Sequence, residues 1–260
     1  MRIVIKLGGT LLDSTESRQR IAHELAEVHR LHSLVVVHGG GKQMTRFLEE
    51  RGVKSQFVNG LRVTTEETLD ALIKVLAGSV NQHLVAALIE AGTPAVGLSG
   101  VDGNLVVAEQ MDPALGAVGK VTQSRPELLN VLTQNRFLPV VACLAGDGRG
   151  GFFNVNGDQM AVACATAFAA DRLVFLTDVD GVLDSSGNTI AELDPSGVEK
   201  LIDSGVAKGG MQAKLNAAVA AVQGGVDDVC IVSGQRPGAV ADLLAGRIHG
   251  TRLARVKVAK

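Results

Sequence analysis

Residues 2–9 read RIVIKLGG, in which a short β-branched run over residues 2–7 ends in a lysine and a leucine and is followed by two glycines. A run of this kind is typical of a buried strand. Further runs of the same type lie at residues 34–38, 94–98, 138–142, 172–177 and 227–232. Longer helical patterns separate them, and this alternation predicts an α/β fold with a central, mainly parallel sheet and helices on both of its faces.

Local patterns outside the strands predict helices and connections. Apolar residues recur at helical spacing after the first strand, at Ile21, Leu25, Val28 and Leu31. Capping boxes predict helix starts at Thr64/Glu67, Ser124/Glu127 and Ser196/Glu199. Residues 103–121 predict a hairpin insertion, and residues 146–151 predict a flexible connection. We expect a single domain, residues 1–260, in which lobes of about 1–153 and 154–260 share one continuous sheet.

The composition limits what the protein binds. Of the 260 residues, 46% are hydrophobic, and the aromatic residues are seven Phe with no Trp and no Tyr. The usual stacking platforms for bases and sugars are therefore missing, which disfavours a single-strand nucleic-acid binder or a lectin. A net charge of -2 provides no global field to attract nucleic acid or an anionic membrane. Any anion site must therefore be local.

The cysteines and the apolar runs indicate the compartment. Cys143, Cys164 and Cys230 lie far apart, a pattern that favours reduced and mostly buried thiols over a disulfide framework. The apolar stretch at the N-terminus is too short for a signal peptide, and no run approaches the roughly 18 apolar residues of a membrane span. We therefore expect a cytoplasmic protein without a membrane segment.

Two glycine loops follow the first two strands. Lys6 lies at the carboxyl end of the first strand, before two glycines, at the sheet edge where open α/β folds bind ligands. Taken alone, this motif is equally compatible with a tight turn. The second strand ends in HGGG at residues 38–41 and runs into a helix near Lys42, so successive glycine amides form an oxyanion nest at a helix N-terminus. Three glycines favour anion binding over a flexible turn, and we interpret His38 as structural.

Three further motifs supply charged or amide side chains. NGLRVT at residues 59–64 places Arg62 in a turn, where it either grips a carboxylate or is simply solvated. NVNGD at residues 154–158 brings two amides and Asp158 to a helix start, where Asp158 is either functional or a plain N-cap. KGGMQAK at residues 208–214 places Lys214 in the first turns of a helix, with a surface lysine as the alternative.

Three other signatures compete for a functional interpretation. GAVGKV at residues 116–121 lacks the spacing and the Ser/Thr of a Walker A loop. GDGRGG at residues 146–151 has the glycine spacing of a Rossmann loop, with Asp171 downstream, but FFNV rather than a helix follows it. DVDGV at residues 178–182 resembles the nucleophile motif of haloacid-dehalogenase-type phosphatases, but it lies deep in the chain and no strand-terminal Asp pair completes it.

The motifs KLGG, HGGG, NGLRVT, NVNxD, DVxGVL and GMxxK follow one another over nearly the whole chain. This order and spacing resembles the acetylglutamate kinase branch of the amino acid kinase family. The resemblance implies a three-layer αβα sandwich of the carbamate kinase type, with ATP and Mg²⁺ as co-substrate and metal. It also implies phosphorylation of the side-chain carboxylate of N-acetyl-L-glutamate to N-acetyl-L-glutamyl 5-phosphate, a step of arginine biosynthesis.

The resemblance also implies a role for individual residues. Lys6 and Lys214 would stabilise the charge of the transferring phosphoryl group, and Asp158 would orient both lysines. The residues implied to contact acetylglutamate are Gly40, Gly41, Arg62 and Asn154, with Arg62 on the α-carboxylate. The residues implied to contact the nucleotide are Gly8, Gly9, Asp178, Val179, Asp180, Gly181, Val182, Leu183, Val206, Ala207 and Lys208. No side chain is assigned to the metal, which the nucleotide phosphates would hold.

Such chemistry needs no general base, because the attacking carboxylate is already ionised near neutral pH. Two lysines, backbone amides and magnesium would supply the positioning and the electrostatic stabilisation that phosphoryl transfer requires. A catalytic His or Cys is therefore not expected.

Departures from the family pattern refine these expectations. Gly157 stands where relatives commonly carry Ala, a change expected to matter little, and Lys42 follows the triple glycine where other residues are common. Lys6 lies almost at the N-terminus, without the extra N-terminal helix of arginine-inhibited hexameric relatives. We therefore expect a homodimer without arginine feedback. The nearest alternative is an aminoadipate kinase of lysine biosynthesis, followed by a non-catalytic nucleotide-binding regulator and a D-x-D phosphatase.

Overall fold

The computed structural model describes residues 1–247 and 249–254, so the expected second lobe, 154–260, includes some residues outside the described part. The strands are β1 (Arg2–Leu7), β2 (Ser33–His38), β3 (Phe57–Val58), β4 (Leu61–Arg62), β5 (Ala95–Ser99), β6 (Val106–Gln110), β7 (Gly119–Ser124), β8 (Leu138–Ala142), β9 (Leu144–Gly146), β10 (Phe152–Asn154), β11 (Arg172–Thr177), β12 (Glu192–Leu193), β13 (Asp228–Ser233) and β14 (Gly250–Ala254). The α-helices are α1 (Thr15–Leu31), α2 (Gly41–Glu49), α3 (Glu66–Leu72), α4 (Asn81–Glu90), α5 (Glu127–Gln134), α6 (Gly157–Ala167), α7 (Pro195–Asp203), α8 (Gly209–Gln223) and α9 (Ala239–Leu244). A wide π-helical segment, Ile73–Val80, joins α3 to α4.

Eight strands form the central sheet in the order β12-β14-β13-β11-β1-β2-β8-β5. The neighbours from β13 to β5 run parallel, whereas β14 pairs antiparallel with β13. The runs predicted as strands are these parallel strands, with boundaries that differ by at most one residue. The prediction of a mainly parallel α/β sheet is therefore confirmed. Strands from the two halves of the chain meet where β1 pairs with β11.

Side chains alternate across β1, and this alternation decides where its lysine points. Ile3, Ile5 and Leu7 pack in the core formed with α1, the π-helical segment and α4. Val4 packs on the opposite face, in the core formed with α6 and α8. Lys6 follows two residues after Val4, so it lies on the face covered by α6 and α8. A filled core on each face gives the expected three layers.

Two of the predicted helix starts are displaced because a neighbouring residue takes the cap. Thr65 caps α3, since Thr64 is buried and its hydroxyl donates to the carbonyl of Arg62. Asp194 caps α7 in place of Ser196, and its carboxylate accepts the N–H of the third helical residue at 2.7 Å. A carboxylate is a charged acceptor near the positive end of the helix dipole, which favours it over a hydroxyl.

One further expectation about helix starts is wrong. Ser124 is the last residue of β7, and α5 begins only after Pro126. Leu31 continues the helical spacing of Ile21, Leu25 and Val28, but it is 78% exposed at the end of α1, whereas those three residues are buried. Helical spacing therefore identified the buried face of α1 but not the point where that helix leaves the core.

The turn-rich segment forms the expected antiparallel hairpin, β6 with β7. The hairpin joins β9 and β10 in a second, four-stranded sheet. The expected flexible connection at 146–151 is the turn between β9 and β10, and it is organised by Asp147. The Asp147 carboxylate accepts N–H groups from Arg149 and Gly151 at 2.7 and 2.9 Å.

The continuous helix Glu66–Glu90 is, within the described residues, the one helix long and apolar enough to cross a membrane. Polar residues interrupt its apolar pattern, which is why no unbroken run reveals it in the sequence. Half of its most apolar window is buried inside the protein. A core helix of a folded domain has the same length and composition, so this helix alone does not indicate a membrane protein.

Candidate active site

Three charged side chains meet at the carboxyl edge of β1. Asp158 Oδ1 lies 2.9 Å from Lys6 Nζ, and Asp158 Oδ2 lies 3.0 Å from Lys214 Nζ. Lys6 comes from β1, Asp158 from the first turn of α6 and Lys214 from the second turn of α8. We call these residues the lysine cluster. The structure thus brings together the three residues predicted as catalytic.

The local structure excludes the simpler roles considered for two of these residues. Asn156 caps α6, and its side chain accepts the N–H of Asp158 at 2.9 Å, so Asp158 is not the cap. Lys214 is only 9% exposed, so it is not a surface lysine. Its ammonium group also lies 5.1 Å from the centre of the Phe175 ring on β11.

The lysine cluster carries one more positive than negative charge. Burial favours the neutral acid at Asp158, but the charges and hydrogen bonds of the two lysines outweigh it, so the pKa of Asp158 is lowered. Burial and then repulsion from Lys6 lower the pKa of Lys214, against the attraction of Asp158. Two ammonium groups that share one carboxylate leave positive charge for a bound anion to neutralise.

The two glycine loops lie side by side at this edge. The N–H of Gly8 donates to the carbonyl of Leu176 at 2.9 Å, which holds the first loop on β11. A Cβ at Gly9 would lie 3.3 Å from the backbone nitrogen of Gly41. Gly40 caps α2 and Gly41 begins it, so their N–H groups have no partner within the helix. The expected oxyanion nest therefore adjoins the loop that follows Lys6.

A cavity of about 160 Å³, here called the glycine cavity, lies between the second glycine loop and the start of α6. Leu72 and Leu76 of the long helix line it, and its polar and small lining residues are Gly39, Gly40, Gly41, Gly60, Arg62, Cys143, Asn154, Asn156 and Gly157. Asn154 donates from its amide to Thr64 Oγ1 at 3.0 Å, which fixes the amide plane. All the residues predicted to contact the acceptor line this cavity.

Arg62 is 8% exposed and directs its guanidinium towards the start of α2. Nη2 donates to Thr45 Oγ1 at 2.7 Å and to the Gly41 carbonyl at 3.2 Å, and Nη1 donates to Ser55 Oγ. The ring of Phe57 lies 4.7 Å from the guanidinium carbon. Burial lowers the pKa of Arg62. The alternative of a solvated turn arginine is therefore wrong, and a carboxylate bound here would share donors with Ser55 and Thr45.

Some of the residues predicted to contact the nucleotide have exposed side chains, and others have side chains buried in the core. The exposed members are Asp178, Val179, Asp180, Leu183, Val206 and Lys208. The side chains of Val182 and Ala207 lie in the apolar core, so only their backbone can contact a ligand. The charge of Asp178 acts on Lys214, so the loop after β11 lies near the lysine cluster. The role of this loop stays a prediction.

The glycine of the DVDGV motif has a structural requirement. Gly181 has φ 143°, and a Cβ there would lie 2.8 Å from Thr189 Cγ2 and 2.9 Å from Thr251 Oγ1. Only glycine fits this conformation at such close approach.

Among the residues that the structure describes, no three His, Cys, Asp or Glu side chains are grouped to hold a metal. The motif therefore lacks the companion carboxylates of a D-x-D phosphatase.

Some residues of the glycine cavity were not identified from the sequence. Cys143, Leu72 and Leu76 reach the cavity through the packing of elements that are distant in the chain, and no local motif marks them. Gly157 was expected to matter little, yet a Cβ there would lie 3.1 Å from Lys6 Cε and 3.4 Å from Cys143 Sγ. The missing Cβ leaves room for the Lys6 side chain.

Neither histidine nor cysteine supplies reactive chemistry at this edge. Burial lowers the pKa of His38 to about 4 and raises the pKa of Cys143 to about 12, so both are neutral near pH 7. What remains is a positively charged cluster, a nest of backbone amides and a small cavity beside them. Such a site suits the transfer of a phosphoryl group between anions, where electrostatic stabilisation provides most of the catalysis.

Comparison with known proteins gives matches over nearly the whole chain. Residues 1–233 match the model of the amino acid kinase family. The acetylglutamate kinase of Solibacter usitatus (strain Ellin6076) is 58% identical over 254 residues, which cover 97% of this chain and 99% of that protein. The acetylglutamate kinase of Koribacter versatilis (strain Ellin345) is 40% identical over 257 residues, which cover 97% of this chain and 98% of that protein.

Solved structures show the same fold. N-acetylglutamate synthase from Neisseria gonorrhoeae, complexed with coenzyme A and N-acetyl-glutamate, matches with a TM-score of 0.88 and 26% identity over 100% of this chain. The chain spans only 60% of the length of that synthase. Carbamate kinase from Giardia lamblia bound to AMP-PNP matches with a TM-score of 0.72 and 18% identity over 98% of both chains. The carbamate kinase-like fold and the resemblance noted in the sequence are confirmed: the chain belongs to the amino acid kinase family.

Proposed function

We propose that the chain is an acetylglutamate kinase, which transfers the γ-phosphoryl group of ATP to the side-chain carboxylate of N-acetyl-L-glutamate. The observation that carries the proposal is the junction between the glycine cavity and the lysine cluster. Gly157 lines the cavity and lies against the Lys6 side chain, and the charge of Lys6 also acts on Cys143, which lines the same cavity. The identity to acetylglutamate kinases over 97% of the chain supports this choice of acceptor.

The acceptor would lie in the glycine cavity. Its α-carboxylate would bind Arg62, whose planar guanidinium matches a carboxylate, and its acetylamino group would contact Asn154. The N–H groups of Gly40 and Gly41 would bind the other end of the molecule. This orientation directs the side-chain carboxylate towards the lysine cluster.

The transfer itself would be carried by electrostatics. An oxygen of the acceptor carboxylate attacks the γ-phosphorus, and the bond from that phosphorus to the bridging oxygen breaks with its electron pair leaving on ADP. Lys6 and Lys214 would donate to the oxygens of the moving phosphoryl group, and Asp158 would hold both ammonium groups in place. The products are ADP and N-acetyl-L-glutamyl 5-phosphate, an acyl phosphate.

The nucleotide would lie on the loop after β11 and on residues 206–208, with its phosphates towards Gly8 and Gly9. The exposed side chains of Val179, Leu183 and Val206 offer aliphatic surface for the adenine. Mg²⁺, when bound, neutralises phosphate charge. Because Mg²⁺ usually binds through substrate phosphates and one or two carboxylates, the phosphates would be its main ligands, with Asp178 as an exposed carboxylate nearby.

The division into an acetylglutamate-binding lobe, about 1–153, and an ATP-binding lobe, about 154–260, is part of the same proposal. The meeting of the two halves of the chain at the β1–β11 pair supports it. The cytoplasmic location and the homodimer without arginine feedback stay predictions. Light scattering tests whether the protein is a dimer. The activity assay, run with and without millimolar arginine, tests whether arginine inhibits it.

A coupled ADP-release assay with a panel of acceptors tests the proposed function. The acceptors are N-acetyl-L-glutamate, glutamate, N-acetylaminoadipate, aspartate and carbamate. Trapping the product with hydroxylamine, which converts an acyl phosphate to a hydroxamate, distinguishes transfer to a carboxylate from ATP hydrolysis. We expect ADP release and hydroxamate formation with acetylglutamate above all others. Preference for acetylaminoadipate would assign the lysine pathway, and no turnover with any acceptor would contradict the proposal.

The phosphatase alternative has its own test. Because Asp178 is not a nucleophile in the proposed mechanism, the Asp178→Asn variant should retain kinase activity with acetylglutamate, with its main effect on the KM for ATP. Loss of a phosphatase activity in that variant, with no kinase activity in the parent chain, would support the D-x-D alternative instead.

A further inference from the structure

Four successive carbonyl groups in the HGGG segment are each held by a protein donor. Cys143 Sγ donates to the His38 carbonyl at 2.9 Å, and His38 Nδ1 donates to the Gly39 carbonyl at 2.8 Å. The N–H of Met44 donates to the Gly40 carbonyl at 2.8 Å. The Gly41 carbonyl accepts from Thr45 Oγ1 at 2.9 Å and from Arg62 Nη2 at 3.2 Å. The orientation of each peptide unit is therefore set by a specific contact.

These contacts also set the directions of the amide groups. In a trans peptide, the carbonyl of one residue and the N–H of the next point in opposite directions. The peptide between Gly39 and Gly40 is trans, and its carbonyl faces the His38 imidazole. The N–H of Gly40 therefore points away from the imidazole, and Gly40 lines the glycine cavity. No other residue makes this contact for the Gly39 carbonyl in the described part of the chain.

The tautomer of His38 follows from its partners. The Gly39 carbonyl can only accept, so Nδ1 carries the proton. Asn81 Nδ2 can only donate, and it lies 2.9 Å from His38 Nε2, so Nε2 is the acceptor. A second proton on Nε2 would face that amide donor inside a fully buried site. The ring is thereby fixed in the neutral form that donates from Nδ1.

Asn81 is itself fixed by the sheet and by the π-helical segment. Its amide nitrogen also donates to the Val140 carbonyl of β8 at 2.9 Å. Its amide oxygen occupies the space that Gly97 of β5 leaves free, since a Cβ there would lie 2.1 Å away. Asn81 directly follows the π-helical segment, in which Leu76 packs so closely on Gly40 that a Cβ at Gly40 would lie 2.6 Å from Leu76 Cδ2. Wide helical turns of this kind occur frequently at functional sites.

We propose that His38 is a positioning residue for the acceptor site: held by Asn81, it fixes the Gly39–Gly40 peptide so that the N–H of Gly40 is presented to the anionic acceptor. This inference deepens the proposed function and rests on it, because the acceptor it names is acetylglutamate. His38 touches neither substrate nor phosphoryl group. Its effect reaches the acceptor only through one backbone amide.

Two substitutions at His38 separate this role from a merely structural one. The amide of His38→Asn occupies the place of Nδ1 and retains a donor for the Gly39 carbonyl. The amide of His38→Gln occupies the place of Nε2, retains an acceptor for Asn81 and leaves the Gly39 carbonyl without its donor. His38→Asn removes more volume from the core than His38→Gln, so a loss of packing alone would impair His38→Asn more, which is the opposite of the order expected here.

The measurement is the KM for acetylglutamate and for ATP, together with kcat and Tm. We expect the KM for acetylglutamate to rise about tenfold in His38→Gln, as for a lost hydrogen bond, and to stay within about threefold of the parent in His38→Asn. The KM for ATP and kcat should change little in either. Equal KM values for acetylglutamate in the two variants, or a parallel rise in both KM values, would overturn the proposal.

A second measurement on the unsubstituted protein does not depend on the folding of variants. In ¹⁵N NMR spectra, His38 should show a protonated Nδ1 and an unprotonated Nε2, and the Gly40 amide should shift on addition of acetylglutamate. A protonated Nε2, or no shift at Gly40 when acetylglutamate binds, would overturn the proposal. If the unsubstituted protein releases no ADP with acetylglutamate, the proposed function fails, while the tautomer still tests the geometry on which this inference stands.

Discussion

An aspartate lies between two cations at each end of the central sheet, and the two arrangements differ in kind. At the carboxyl edge, the lysine cluster holds its aspartate between two ammonium groups. At the amino edge, Asp228 Oδ2 lies 2.6 Å from Arg172 Nη2, and Asp228 Oδ1 lies 2.8 Å from Arg252 Nε. We call this second set the arginine cluster. It ties β11 and β14 to the start of β13.

The two clusters differ in the type of cation, guanidinium or ammonium, and in the edge of the sheet at which they lie. A guanidinium is planar and rigid, and its donors pair in a fixed fork, which suits a permanent link between strands. An ammonium group is a compact charge on a flexible stem, and it has donors to spare after pairing with one carboxylate. Parallel α/β sheets bind ligands at the carboxyl edge. The same charge pattern is therefore structural at one edge and available for chemistry at the other.

The largest effects should come from the lysines. Lys6→Ala and Lys214→Ala should each lower kcat by about 10² to 10³, because each removes a preorganised donor to the transferring phosphoryl group. Steady-state turnover with acetylglutamate and ATP measures this. Arg252→Ala, in the arginine cluster, is the matched control and should lower Tm while leaving kcat near the parent value. A Lys214→Ala enzyme with near-normal turnover would contradict the mechanism.

Substitution of the aspartate in each cluster compares the functional cluster with the structural one most directly. Asp158→Asn should lower kcat by about 10², because the lysines lose the charge that orients them. Asp228→Asn should instead lower the free energy of unfolding by about 2 kcal/mol, since it leaves two partly buried guanidinium groups without their counter-charge. Urea unfolding and turnover, measured on both variants, separate the outcomes. If Asp228→Asn lost turnover at full stability, the distinction between the clusters would not hold.

A smaller and more selective effect is expected at the glycine cavity. Arg62→Ala should raise the KM for acetylglutamate by about tenfold with a lesser change in the KM for ATP, because the variant loses a charged hydrogen-bond donor to the α-carboxylate. Arg51→Ala is the control. The Arg51 guanidinium carbon lies 3.5 Å from the centre of the Phe47 ring, and Arg51 does not line the glycine cavity. An equal rise in both KM values for Arg62→Ala would speak against its assignment to the acceptor.

The smallest effect is expected at Gly157. Gly157→Ala should lower kcat a few-fold, because the new Cβ would press on Lys6 Cε at 3.1 Å. Stability should rise by about 0.5 kcal/mol, since alanine restricts the unfolded chain. Gly210→Ala is the control, because a Cβ at Gly210 meets nothing within 4 Å. Unchanged turnover in Gly157→Ala would mean that Lys6 has more room than the distances indicate.

The sequence predicted those parts of the fold and site that local patterns encode. Buried strands have a distinctive residue pattern, and the motifs at their carboxyl ends converge because parallel strands end at one edge. Local patterns predicted Lys6 at this edge but left simpler alternatives open for Asp158 and Lys214, and it was the resemblance to the amino acid kinase family that assigned catalytic roles to all three. The helix caps were missed because adjacent hydroxyl and carboxylate side chains compete for the same N–H groups, and tertiary contacts decide between them, as at Thr64 and Thr65.

Other features depend on packing between distant elements and have no local signal. Val182 and Ala207 were both implied to contact the nucleotide, but the structure places their side chains in the core. The arginine cluster joins residues from three strands, and nothing near Asp228 in the sequence indicates its partners. His38 was interpreted as structural from its surroundings in the sequence, whereas its contact with the Gly39 carbonyl requires the Asn81 side chain of a separate helix.

A crystal structure of the protein with acetylglutamate, ADP, Mg²⁺ and aluminium fluoride tests the central claim most directly. The planar fluoride stands in for the transferring phosphoryl group. We expect it to lie within hydrogen-bond distance of both Lys6 Nζ and Lys214 Nζ, in line with the acceptor carboxylate in the glycine cavity. A fluoride bound away from the lysine cluster, or acetylglutamate bound outside the glycine cavity, would contradict the account.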